Sequence, residues 1–529
     1  MHIFRTAIAI LLLAGYSLGD TYIRQSSIDI IHYDISLELT DTSDSIIGSA
    51  TIQVMIRDNG ISGMWFDFTD MKVSRVQMHG VERPFTQRDG RLDFDFDRIY
   101  FKNEIAVVEV QYGGESESGG LLIGKNSYGR RVIFADNWPD RAHHWFPSID
   151  HPFDKATVDF TITAPDRYDV VANGSLIRTE SLLDGRKRTQ WSEQKAIPTY
   201  CMVIGIAEFS IAHQQDLDGI PLIWYSFPQD LKAAAIKFDR SDVAVRYFSE
   251  LIGPYPYEKL AQVQSTTRMG GMENASAIFY RESSFQESSI SEEPVPHEIA
   301  HQWFGNAVTI ADWDHLWLSE GFATYMEALF YEHIAGPESL KQSMSRFAKK
   351  IKEYEFAESA PVIDPHLTDL LKKLNPLNYE KGAWFLHMLR GILGNEDFFE
   401  GIRRYYRIYK GRNVLTEDFQ RVMESVSGKN LNVFFRQWLY QPGWPDYHVL
   451  WHWNPEAREA VITVQQKQAT GLFEMPLEIS VQTGNRHRTY TFFVAGRTCS
   501  FRIPTNSQPS SIEIDPDDWV LKSVSVSPE

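Results

Sequence analysis

The chain reads as an α+β multidomain protein in three parts: an antiparallel β domain, a mainly helical middle and a small C-terminal β-sandwich. Three observations carry that reading. Apolar and polar residues alternate up to about residue 213, helical spacing takes over across 214–441, and alternation returns across 442–529. With 529 residues the chain is too long for one hydrophobic core, while 43% hydrophobic and 23% charged residues is ordinary globular composition.

Residues 1–19 contain Arg5, the apolar run Thr6 to Tyr16, and the small residues Ser17 and Gly19. That order is the pattern of a cleavable secretory signal cut before Asp20, with an apolar run too short to span a membrane comfortably. A secreted or periplasmic protein without stable membrane insertion is expected. In the β domain, 20–213, alternation is clearest at Tyr33, Ile35, Leu37 and Leu39 and at Ile52, Val54 and Ile56, with turns at Asn173-Gly174 and Asp184-Gly185. Cys201 and Cys499 are the only cysteines and fall in different parts, so no disulfide framework is expected. A formal charge of −18 and the lack of a Lys/Arg stripe argue against nucleic acid as a partner.

The middle part, 214–441, has long amphipathic patterns, including Asp314 to Ile334 and Gly382 to Leu393. Pro294 and Pro296 mark a helix start, because amides of a first turn lack partners within the helix. His297, Glu298 and His301 then form H-E-x-x-H, and Glu320 follows after eighteen residues. On a helix, positions i and i+4 share a face, so both imidazoles reach one cation while Glu298 stays free to act as a base. Three protein ligands, His297, His301 and Glu320, leave a fourth zinc position open, as catalytic zinc sites require. The C-terminal part, 442–529, alternates at Leu477, Ile479 and Val481 and turns at Thr483-Gly484-Asn485, as in a small β-sandwich.

Upstream lies Met269-Gly270-Gly271-Met272-Glu273-Asn274-Ala275-Ser276, in which glycines allow close backbone approach and Glu273 supplies a charge. Asn274-Ala275-Ser276 also matches a glycosylation acceptor, read as coincidence in a strand that lines the site. Gly270 to Asn274, the run His297 to Asn306, and Trp317-Leu318-Ser319-Glu320-Gly321-Phe322-Ala323 together resemble the aminopeptidase N family, which includes leukotriene hydrolase. Similarity continues at Tyr379-Glu380-Lys381-Gly382, at Pro147 to Pro152, and at Gln437-Trp438 ahead of Gly443-Trp444-Pro445.

The resemblance implies a thermolysin-like catalytic domain binding one zinc ion per chain through His297, His301 and Glu320, with Glu298 as general base. It implies that Tyr379 stabilises the oxyanion and that Glu273, among Gly270, Gly271, Met272 and Asn274, grips the free ammonium of a peptide substrate. Three departures stand out. Trp138 occupies the place of the family's second amine anchor; Asn137 or Asp140 takes over that role, or Trp138 narrows the first subsite by stacking. His151 replaces a usual glutamate and is expected to be a satisfied structural histidine. The chain ends after the third part, where larger members continue into a helical domain, and a more open substrate cavity is expected. The reading is an exported zinc aminopeptidase; its rivals are a zinc endopeptidase, a non-catalytic peptide-binding protein and, more distantly, an epoxide hydrolase.

Overall fold

Period-two alternation has the expected consequence in the first part: Tyr33, Ile35, Leu37, Leu39, Ile52, Val54 and Ile56 are all buried. The computed structural model describes residues 20–214, 216–286 and 294–528, so the expected signal lies outside the described residues. Strands Ile28–Glu38 and Ile46–Ile56 sit at the centre of an eight-stranded sheet. All its pairings are antiparallel except that of Ile28–Glu38 with Lys155–Pro165. A four-stranded and a three-stranded sheet complete this part. Asp184-Gly185 forms the hairpin turn between Ser175–Ser181 and Arg186–Pro198, with Gly185 at φ +77.

The next sheet has five strands, in the order Ser210–His213, Leu222–Ser226, Leu260–Ser265, Ala277–Arg281, Gly271–Met272. It begins at Ser210, just ahead of the expected boundary at Gln214. Its three central strands are parallel, and Gly271–Met272 closes the sheet as an antiparallel edge. The helices that matter here are α1 (Pro294–His301), α2 (Trp317–Ala335) and α3 (Gly382–Leu393). Thirteen of the nineteen residues of α2 are buried. Although its sequence was expected to be amphipathic, α2 is enclosed on most of its circumference because it packs between α1 and α3.

Hydrophobic burial runs without a break from the first part through the middle, from Ile28 to Leu439. Polar bolts fix that junction as well. Lys155 donates to the carbonyls of Asn306 and Ala307 at 3.0 and 3.1 Å, just beyond α1, and burial lowers its ammonium to about 7. Asn173 donates to the Cys201 and Ala275 carbonyls and accepts from Val203 N–H. It is therefore more than a turn residue. The C-terminal part has its own sandwich core, which includes Leu477, Ile479 and Val481 between a four-stranded and a three-stranded sheet.

Candidate metal centre

The first turn of α1 contains Pro294 and Pro296, and the helix ends at His301, so His297 and His301 stand one turn apart. Their Nε2 atoms lie 3.0 Å apart. Glu320, in the first turn of α2, brings Oε2 to 3.5 Å from His297 Nε2 and 3.3 Å from His301 Nε2. All three donor atoms fall within 4.8 Å of one another.

The surroundings of this trio favour a bound cation. Nδ1 of His301 donates to the Phe304 carbonyl at 3.1 Å, which directs the Nε2 lone pair towards His297. On the other side, His297 Nδ1 faces Glu327 Oε2 at 3.6 Å. Glu320 Oε2 is buried without a hydrogen-bond partner. Burial disfavours an imidazolium, yet Glu320 and Glu327 push His297 well above its ordinary range, so the cluster demands positive charge. Protons can supply it on the rings; a dication supplies it between them, and the N,N,O donor set suits zinc.

Glu298 follows His297 on α1 and is buried, which pushes its carboxyl up to about 7 against the pull of His297 and His301. Gly271 makes room for it: a Cβ at that position would fall on the Glu298 carboxylate. Glu273, the residue after Met272 on the edge strand, is likewise buried, and burial raises its carboxyl. Donor atoms of Glu273, Glu298 and His301 also lie within 4.8 Å of one another. Met272 and Asn274 are buried, Gly270 is exposed, and both amide atoms of Asn274 lack a hydrogen-bond partner.

Tyr379 lies in a π-helical turn, Leu377–Lys381, that runs into α3. Its ring is parallel to that of His297, with centroids 6.0 Å apart. Helices α2 and α3 touch back to back at two glycines, where a Cβ on Gly321 would stand 2.8 Å from the Gly382 Cα. That close approach sets Glu320 and Tyr379, each near one of the glycines, into the same site. Burial and the carboxylates of Glu320, Glu273 and Glu298 hold the phenol well above its ordinary range, so it remains a neutral donor.

Trp138 is buried and packs edge-on against Trp313 at 5.7 Å. Asn137 donates to the Thr199 and Met202 carbonyls and accepts from Trp145 Nε1, so its amide is fully engaged. Asp140 is exposed and lines a cavity of about 660 Å³ with Pro139, Trp313, Asp314 and Lys373; none of the three metal-ligand candidates lines it. His151 is satisfied on both sides, with Nε2 donating to Asp20 at 2.7 Å and Nδ1 accepting from Phe153 N–H at 3.2 Å.

Sequence reading missed the supporting residues. Glu327 follows Glu320 by seven positions and so shares its helix face, a spacing that could have revealed it. Gln302 and Asn306 both donate to the Glu273 carbonyl, at 2.9 and 2.5 Å, and tie the edge strand to the chain leaving α1. Both lie inside the run His297 to Asn306, yet nothing local marks their partner.

Residues 238–438 match the peptidase family M1 domain, and residues 30–201 match the peptidase M1 N-terminal domain. Glutamyl aminopeptidase of Homo sapiens is 26% identical over 457 residues, covering 79% of this chain and 47% of that protein. Probable aminopeptidase 2 of Sulfurisphaera tokodaii is 26% identical over 477 residues, covering 85% and 58%. The chain thus spans about half the length of the curated relatives it matches. The crystal structure of an M1 zinc metallopeptidase from Deinococcus radiodurans shares the fold, with a TM-score of 0.69 at 24% identity over 80% of this chain and 94% of that one. Two matched domains in their family order, on a shared fold, place this chain in the peptidase M1 family.

Proposed function

We propose that this protein is an exported, zinc-dependent aminopeptidase that hydrolyses the N-terminal peptide bond of peptides. The observation carrying this reading is Glu273: a buried carboxylate on a sheet edge whose donor atom falls within 4.8 Å of those of Glu298 and His301. A peptide laid along that edge can pair its backbone with the strand. Its α-ammonium, mostly charged at neutral pH, then meets Glu273, and the register puts the first peptide bond beside Glu298.

His297, His301 and Glu320 would hold the zinc, which supplies Lewis acidity towards a carbonyl oxygen and towards water. Glu298 takes the proton of the attacking water and passes it to the leaving amine. Tyr379 donates a hydrogen bond to the carbonyl oxygen as negative charge develops there. Among the described residues no helix is long and apolar enough to cross a membrane.

The test uses reporter substrates with free and N-acetylated ends, a glutamyl one included because of the human relative's name, each with and without a chelator. Cleavage of free ends alone is expected, abolished by the chelator. Glu273→Ala should lose most activity and much of its preference over blocked ends. Equal hydrolysis of both substrate sets would establish the endopeptidase alternative instead. Sequencing the N-terminus of exported protein tests the processing: Asp20 is the expected first residue, and an intact Met1 overturns it.

A further inference from the structure

We infer that, once the chain is cut before Asp20, its new α-ammonium docks on Asp312 and clamps the irregular N-terminal segment ahead of Ile28–Glu38 to the loop that launches α2. The inference rests on the proposed processing for its occurrence in the cell, but the docking itself rests on geometry. The backbone nitrogen of Asp20 donates to Asp312 Oδ2 at 3.3 Å. This contact lies 292 residues away in sequence and joins the first described residue to the catalytic part.

The receiving site is built on both sides. The side chains of Asp20 and Asp312 are only 8% and 5% exposed. Arg24 reaches both carboxylates, Asp20 Oδ2 at 3.1 Å and Asp312 Oδ2 at 3.2 Å, and also donates to the Ala311 carbonyl at 3.2 Å. Asp20 Oδ2 further accepts from Trp313 N–H at 3.4 Å and from His151 Nε2 at 2.7 Å. His151 Nδ1 accepts from Phe153 N–H, so Nε2 is the atom that donates to Asp20. Arg24 bridges the two nearly buried carboxylates. An amide N–H at residue 20 offers Asp312 a single neutral donor, whereas an ammonium at the same atom brings a positive charge and extra donors.

The consequence reaches the metal helix. Asp312 Oδ1 accepts from Asp314 N–H at 2.9 Å and caps the 3₁₀ turn Trp313–His315, which runs directly into α2 and Glu320. Processing thus creates the charge that fastens this turn to the N-terminal segment.

The experiment compares four full-length forms: chains beginning at Asp20, released from a fusion that leaves nothing ahead of it, or carrying Gly-Ser before Asp20, each with Asp312 or with Asp312→Asn. With Asp312 present, the Gly-Ser extension should lower Tm by about 2 °C or more. In the Asp312→Asn pair that penalty should fall by at least about half, since asparagine keeps the cap but not the charge. Equal Tm values for the two starts, or a penalty that survives Asp312→Asn unchanged, as mere crowding would give, overturns the inference. A second measurement needs no substitution. Acylation of the Asp20 α-amine at neutral pH should be at least about tenfold slower in the native chain than in the denatured one, and equal rates would refute docking. Both readouts use chains with a defined start, so they stand apart from whether export cuts at Asp20.

Discussion

His301 and His151 are equally well hidden, 1% and 2% exposed, but their surroundings differ in kind. His151 has a carboxylate on one nitrogen and an amide N–H on the other, so it asks for nothing more. His301 is satisfied only at Nδ1; its Nε2 points at a second imidazole and at the orphaned Oε2 of Glu320. A buried polar group left unpaired costs roughly 1–3 kcal/mol, so such an arrangement persists where something from outside completes it. The same contrast holds within the few residues that open α2, with a closed network of Asp20, Arg24 and Asp312 ahead of the helix and an open one around Glu320 in its first turn.

The open cluster should fail in activity and the closed ones in stability. His301→Ala removes a proposed ligand and should lose both metal and turnover, with activity below about one per cent. Metal content by mass spectrometry checks this, and full occupancy in the variant would break the comparison. Glu298→Gln preserves shape but cannot take a proton, so zinc should remain while turnover falls about 10²–10⁴-fold. A loss smaller than about tenfold would remove Glu298 from the role of base. Tyr379→Phe should keep fold and metal and lose about two to three orders of magnitude, the usual effect of one oxyanion donor. If the change stays below about fivefold, Tyr379 belongs with the packed residues instead.

Local chemistry made part of this legible in advance. His297, Glu298 and His301 sit on one helical turn, where spacing alone fixes relative position, and the alternation at Tyr33 to Leu39 fixes a buried face in the same way. Glu273 and Tyr379 carry no such signal. They meet the metal helix through contacts across long stretches of chain, the Gly321 to Gly382 crossing and the Gln302 and Asn306 bonds to the Glu273 carbonyl, and only family resemblance singled them out. For the same reason the reach of Lys155 to the Asn306 carbonyl was invisible: a lysine in a strand gives no hint of a partner 151 residues away. The pattern of α2 misled because a helix enclosed by others needs no polar face.

The smallest effect on activity, and the sharpest test of the closed class, comes from His387. It lies on α3, stacks on Trp519 from the C-terminal part at 4.7 Å, and meets Tyr325 Oη through Nδ1 at 3.2 Å. Burial, helped by the charge of Arg390, lowers its imidazole from 6.5 to about 3. Between those values the unfolded chain binds a proton that the native chain refuses. Stability therefore rises with pH across this window, is flat above about 6.5, and is lost as pH falls from there towards 3. At about 1.4 kcal/mol per unit the loss reaches roughly 4 kcal/mol at the acid end. Acid unfolding followed by tryptophan fluorescence should be steeper in wild type than in His387→Asn, which keeps an acceptor near Tyr325 but has nothing to protonate. Protonation of the proposed metal ligands in the same window affects both proteins alike, so the difference in slope isolates His387. Parallel curves would mean that this histidine is not held neutral by its packing, and that burial alone does not mark the closed class.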